Sequence, residues 1–132
     1  MINRRHIRVK VMQSVYAMIQ SHNDDIVKEE KFVKHSIKKM FDLYVLLLQL
    51  LVEVQKLAEQ KQEISKKKYL ATEEDLSPNR KFVENKLIKK IAESSSLTLY
   101  KEAQNLDNWS KDDEYIKIIW DLLQNSDIFS EY

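Results

Sequence analysis

Four cations crowd the start of this chain: Arg4, Arg5, Arg8 and Lys10 all precede the first carboxylate, Asp24. The sequence as a whole is nearly balanced, with 22 Lys and Arg against 21 Asp and Glu. In a helix, these cations would occupy the turns where the dipole favours anions. Such a placement runs against local electrostatics and asks for a reason outside the helix. Phosphate supplies one, because Arg forks bind it bidentately and the open amides of a helix start add donors. A solvated cationic end that pairs with acids elsewhere is the other reading, and spacing alone leaves both open. Gln13 and Tyr16 follow a few turns on. Tyr16 is either an aromatic at the edge of a core or a stacking platform for an unpaired base. In the second case Gln13 offers donors and acceptors to a base edge.

Other chemistry is harder to find. His6, His22 and His35 are the only histidines, and no two stand at the four-residue spacing of a helical zinc pair. They read as surface residues, and no metal or cofactor is expected. Carboxylate runs such as Glu73–Glu74–Asp75 and Asp112–Asp113–Glu114 read as caps or solvated segments before acid–base pairs. Lys66, Lys67 and Lys68 read as a linker. With Gly 0, the chain cannot build a phosphate-cradling Walker or Rossmann loop, nor a nucleophile elbow. An enzyme is not expected. Cys 0 excludes disulfides and thiolate metal sites and is compatible with a reducing compartment.

The elements that must position these residues are helices. No Gly and a single Pro starve hairpin turns, so an all-α chain is expected. Its 132 residues suit one domain with a real core. The first helix is expected over 3–22, with Ile7, Val11, Val15, Met18 and Ile19 on one apolar arc and Met12 at its border. Arg5, Val9 and Tyr16 run along one flank of that arc. The residues Ser21–His22–Asn23–Asp24–Asp25 then break the pattern. A long second helix is expected over 27–62. Val33, Ile37, Met40, Tyr44, Leu47, Leu51, Val54 and Ala58 form its heptad seam, widened by Leu43, Leu50 and Leu57.

A linker over 65–78 follows, ending with Ser77 as N-cap and Pro78 in the first turn of a third helix, 79–93. That helix is expected to bury Phe82, Val83, Leu87, Ile88 and Ile91. The next stretch, to Trp109, is ambiguous. A fourth helix is expected from Ser110, with Asp112, Asp113 and Glu114 in its first turn and Tyr115, Ile116, Ile119, Trp120, Leu122 and Leu123 buried. Ser126 reads as one more N-cap. The most apolar run, 44–52, is too short to span a bilayer.

The stretch RRHIRVKVMQSVYAMIQSHND resembles the opening of the NusB transcription antitermination family. That family begins with an arginine-rich segment leading into a helix with a Gln, then Leu or Val, then Tyr, and soon a polar break. Here Arg4, Arg5, Arg8, Gln13, Val15, Tyr16 and Ser21–Asp24 match it, about a sixth of the chain. NRKFVENKLIKKIAE and DDEYIKIIWDLLQNSDIFSEY are similar to stretches of the longer, insertion-containing members, with lower specificity.

The resemblance implies an all-helical, cytoplasmic protein that binds RNA without catalysis. Its ligand would be the single-stranded boxA element of ribosomal RNA leaders. Its partners would be NusE, a small-subunit ribosomal protein, and the RNA polymerase antitermination complex. Arg4, Arg5 and Arg8 would hold phosphates or bases and Tyr16 would lie at the RNA face. The expected RNA-binding set is Arg4, Arg5, His6, Arg8, Lys10, Gln13 and Tyr16, with His6 where many members have another basic residue. The family continues with a second helical subdomain that supplies most of the NusE surface, so the chain is expected to be an N-terminal portion. Two other readings stand beside this one. In the first, the heptad seam makes the chain a protein-interaction module without specific RNA binding. In the second, it is the RNA-recruiting domain of a ribosomal RNA cytosine methyltransferase, which would need a Gly-rich loop that this chain lacks.

Overall fold

A computed structural model describes residues 3–22, 24–69 and 72–132, apart from the side chains of Glu74 and Asp75. Asn23 in the expected break, and Leu70 and Ala71 in the expected linker, lie outside the described residues. All regular structure among the described residues is α-helical, as the absence of Gly and the apolar spacing require. The chain divides into two compact units, residues 1–45 and 46–132. Helix α2 (Ile26–Lys66) contributes to both. At 41 residues it is the long second helix expected, extended by one residue at its start and four at its end.

In the first unit, α1 (Arg4–Gln20) begins with a capping box. The Asn3 side chain accepts from the His6 amide at 3.1 Å, and His6 Nδ1 accepts from the Asn3 amide at 3.3 Å. These two bonds satisfy orphan donors at a helix start that has no acidic residue. A hydrogen bond ties α1 to α2: Ser14 Oγ donates to Glu29 Oε2 at 2.7 Å. Ser14 is the buried point of α1, and the other buried residues of this unit are Asp42 and Val45. Lys39 Nζ sits 3.0 Å from the Asp42 carboxylate and offsets the cost of burying that charge.

The apolar arc of α1 is largely uncovered. Ile7, Val11, Val15 and Ile19 are exposed, and Met18 is half-buried. The same holds for the middle of the heptad seam, where Leu43, Tyr44, Leu47 and Leu51 are exposed while Val54 and Ala58 are buried. Apolar spacing specifies which residues share a face. It does not specify that a neighbour covers that face.

The second unit has the core. Val54 and Ala58 of α2 pack with Val83, Ile116 and Trp120, and Phe82, Trp109, Ile119, Leu123 and Phe129 close around them. Phe82, Trp120 and Phe129 form a triangle with ring centroids 5.4–5.8 Å apart, two of its three pairs edge to face. Each fully buried large apolar side chain in such a cluster contributes roughly 1.5–3 kcal/mol. Trp109 Nε1 donates to the Leu46 carbonyl at 2.8 Å.

Around this core the elements depart from expectation at identifiable bonds. After the short α3 (Glu73–Leu76), Ser77 and Pro78 do not start a helix. The next one, α4 (Lys86–Ala92), starts at Asn85, whose Oδ1 accepts from the Leu87 and Ile88 amides at 2.9 and 3.3 Å. Two α2 side chains explain the delay. Gln62 Nε2 donates to the Asn79 carbonyl at 2.9 Å and Gln55 Nε2 donates to the Val83 carbonyl. In a continuous helix the Leu87 amide would bond the Val83 carbonyl, but it bonds Asn85 instead. Leu87 is exposed, against expectation, whereas Val83 and Ile88 are buried.

The ambiguous stretch forms α5 (Ser95–Gln104), stopped by Asn105 in the left-handed region at φ 53°. The short α6 (Asn108–Lys111) precedes α7 (Asp113–Gln124), so α7 starts three residues later than expected. Ile116 and Trp120 are buried there, but Tyr115 and Leu122 are exposed. The five-residue α8 (Asp127–Glu131) follows Ser126, which holds the N-cap position without a side-chain cap bond.

Candidate nucleic-acid interface

All seven residues expected to bind RNA lie on α1, and the helix sorts them by direction. At about 100° per residue, Arg4 and Arg8 lie one turn apart on one line, and Arg5 and Tyr16 fall within about 20° of each other. Lys10 points the other way. It is half-buried on the side of Ser14 and Met18, which faces α2. His6 and Gln13 lie on a third side, both exposed. Arg5 therefore lines up with Tyr16, Arg4 and Arg8 form a second line on the same outer half of the helix, Lys10 joins neither, and His6 already serves in the cap through Nδ1.

Burial bears on the two readings of Tyr16. The residue is 65% exposed, so its ring stands in solvent, about three turns along the helix from Arg5, and is not part of a core edge. Arg4, Arg5 and Arg8 are exposed, and among the described residues none has an ion-pair partner. Cations are thus held on an outer surface at a helix N-terminus, where the dipole opposes them and no carboxylate of α1 offsets them. Between them stand exposed apolar residues: Val11, Met12, Val15 and Ile19 fall on the same outer arc. Sequence reasoning placed Val11, Val15 and Ile19 on one apolar arc with Met12 at its border. The available signal was that arginines interrupt the arc.

The second unit offers different chemistry. A cavity of about 260 Å³ is walled by Phe82, Trp120, Phe129 and Tyr132, with Lys61 at its rim bonded to Asp121 at 3.0 Å. Lys81 Nζ donates to the Tyr132 carbonyl at 2.7 Å, and Asn85 Nδ2 donates to the Tyr132 hydroxyl at 3.1 Å. Sequence reasoning did not anticipate this aromatic cluster. Its members are distant in sequence and meet only through packing. Among the described residues there is no group of three or more His, Asp or Glu placed to hold a metal ion. No described helix is long and apolar enough to cross a membrane.

Ion pairs also divide the units. Arg80 of the second unit has Glu84 at 2.8 Å and Glu59 and Glu63 at 3.9 Å, which raises its pKa, chiefly through the Glu84 hydrogen bond. Lys117 bonds Asp113 at 2.7 Å and holds that carboxyl below its ordinary value, first by the hydrogen bond and then by charge. Arginine in the second unit is engaged with carboxylates, and arginine in α1 is not. No family model, curated protein or solved structure matches the chain.

Proposed function

We propose that this chain binds single-stranded RNA through the outer face of α1. Following the resemblance of its first helix to the NusB family, that RNA would be boxA-like. The chain would then act in ribosomal RNA synthesis as an antitermination factor, with a small-subunit ribosomal protein as partner and no catalysis of its own. The observation that supports the reading is the exposed outer half of α1, where Arg4 and Arg8 form one line and Arg5 and Tyr16 another, with none of the three guanidiniums paired to a carboxylate among the described residues. Guanidinium forks suit phosphate, and an exposed ring about two to three turns further along the same helix suits a base. His6 and Gln13 stand at the margin of this face, and Lys10 contributes through charge alone.

Filter binding or gel shift with a boxA-like RNA and a scrambled control tests the reading. Neutralising about three phosphates on a single strand gives a log–log salt slope of roughly −2. Replacing Arg4, Arg5 and Arg8 by Ala should remove most of that slope. Unchanged binding by the triple variant would reduce the basic end to a solvated terminus.

A helical protein-interaction module is the second reading, and a specific observation favours it. Leu43, Tyr44, Leu47 and Leu51 are exposed on α2, a larger apolar display than isolated surface residues explain. Equal affinity for the boxA-like and scrambled RNAs, with no salt slope, would favour this module.

A further inference from the structure

We infer that the outer face of α1 is a docking surface for α7 of a second copy of this chain. The two helices carry exposed apolar stripes of similar length and opposite charge. On α1 the stripe is Val11, Val15 and Ile19, spanning about 12 Å at 1.5 Å per residue. On α7 it is Tyr115, Ile118 and Leu122, spanning about 10.5 Å on the side away from the buried Ile116 and Trp120. Each stripe is preceded by charge at its N-terminal end: Arg4 and Arg8 on α1, and on the other side Asp112 at the N-cap of α7 and Glu114 in its first turn. Neither set makes an ion pair among the described residues. A parallel register sets Arg8 beside Asp112 and Glu114, Val11 beside Tyr115, and Ile19 beside Leu122.

Electrostatics favours this occupant at both levels. Residues 1–45 carry nine Lys and Arg against five Asp and Glu, a net +4. Residues 46–132 carry thirteen against sixteen, a net −3. Locally, carboxylates brought to the start of α1 offset the repulsion between its arginines and the helix dipole. The first unit also buries little apolar surface of its own, so covering Val11, Val15 and Ile19 supplies burial that it otherwise lacks. A single helix pair is smaller than a standard interface, so the association is weak and salt-sensitive.

Sedimentation equilibrium of the intact chain over a range of concentrations tests this. The average mass should rise above 15.8 kDa with concentration. Raising salt from about 0.05 to about 0.5 M should weaken the association about tenfold. Arg8→Glu and Glu114→Arg should each weaken it by about tenfold or more, and mixing the two variants should restore it. Val15→Ser with Ile19→Ser should abolish it, and Glu114→Arg, which lies outside α1, should weaken self-association while leaving RNA affinity unchanged, which separates this inference from the RNA reading. These residues are exposed, and circular dichroism checks that the variants keep their helices. A mass that stays monomeric at every concentration would overturn the inference, and so would association that survives both charge reversals. Loss in either charge variant without recovery on mixing would overturn the α1–α7 pairing.

Discussion

Helices α1 and α7 both carry apolar residues at helical spacing, interrupted by arginines in α1 and sorted to one side in α7, and they meet opposite fates. In α7, Ile116 and Trp120 enter a core built with Val54, Ala58 and Val83, and one side of the helix is consumed by packing. In α1 the buried residue is Ser14, held by Glu29, and the valines and isoleucines of the arc remain in solvent. An apolar stripe records a capacity for burial, and whether it is used depends on the elements that reach it. The charges follow the same division. Arg80 in the second unit lies among Glu84, Glu59 and Glu63, whereas the arginines of α1 stand without carboxylates and stay available to a ligand.

The contrast breaks most easily at Trp120. Trp120→Ala should cost about 3–5 kcal/mol of stability, the range for removing a large aromatic from a packed core. Denaturant unfolding measures it, and a loss below about 1 kcal/mol would mean that the second unit is no better packed than the first. At Tyr16 the expected effects exchange places. Tyr16→Ala should leave stability within about 1 kcal/mol, because the ring is already exposed, and should weaken RNA binding by about 1–3 kcal/mol through lost stacking. A thermal melt and an RNA titration of the same variant decide it. A destabilised protein with normal RNA affinity once folded would remove the stacking role.

Smaller effects sharpen the comparison within the second unit. Asn85→Ala should cost about 1 kcal/mol, since the side chain caps two amides at the start of α4. Hydrogen exchange at Leu87 and Ile88 should rise first. The smallest effect concerns Asp113. Its folded pKa is depressed by Lys117, so the stability that this pair contributes is present above the unfolded carboxyl value and lost as pH falls through the folded one. Lys117→Ala should move the Asp113 titration back up towards its ordinary value, read by carboxyl NMR. Both groups are fully exposed, so solvent screening keeps the stability change small.

Much of the fold was legible beforehand because its causes are local. The lack of Gly excluded hairpins, the heptad spacing gave the long α2, and the acidic run Asp112–Asp113–Glu114 announced α7, although that helix starts at Asp113 and not at Ser110. The start of α4 was not legible. Ser77–Pro78 carries a standard start signal, but Gln55 and Gln62 reach from α2, some 17–28 residues away in sequence, to claim the Asn79 and Val83 carbonyls. Nothing local to residues 77–85 announces those bonds.

The candidate site shows the same boundary. The sequence by itself determined that Arg4, Arg5, Arg8 and Tyr16 lie on one helix, with Arg5 and Tyr16 along one flank, because 3.6 residues per turn leaves no freedom. Tertiary structure decided that Ser14 is the buried point, that Lys10 turns towards α2, and that Tyr16 stands in solvent. The physical reason is that periodicity constrains the angles between side chains on one helix, whereas burial depends on a second surface arriving from elsewhere in the chain.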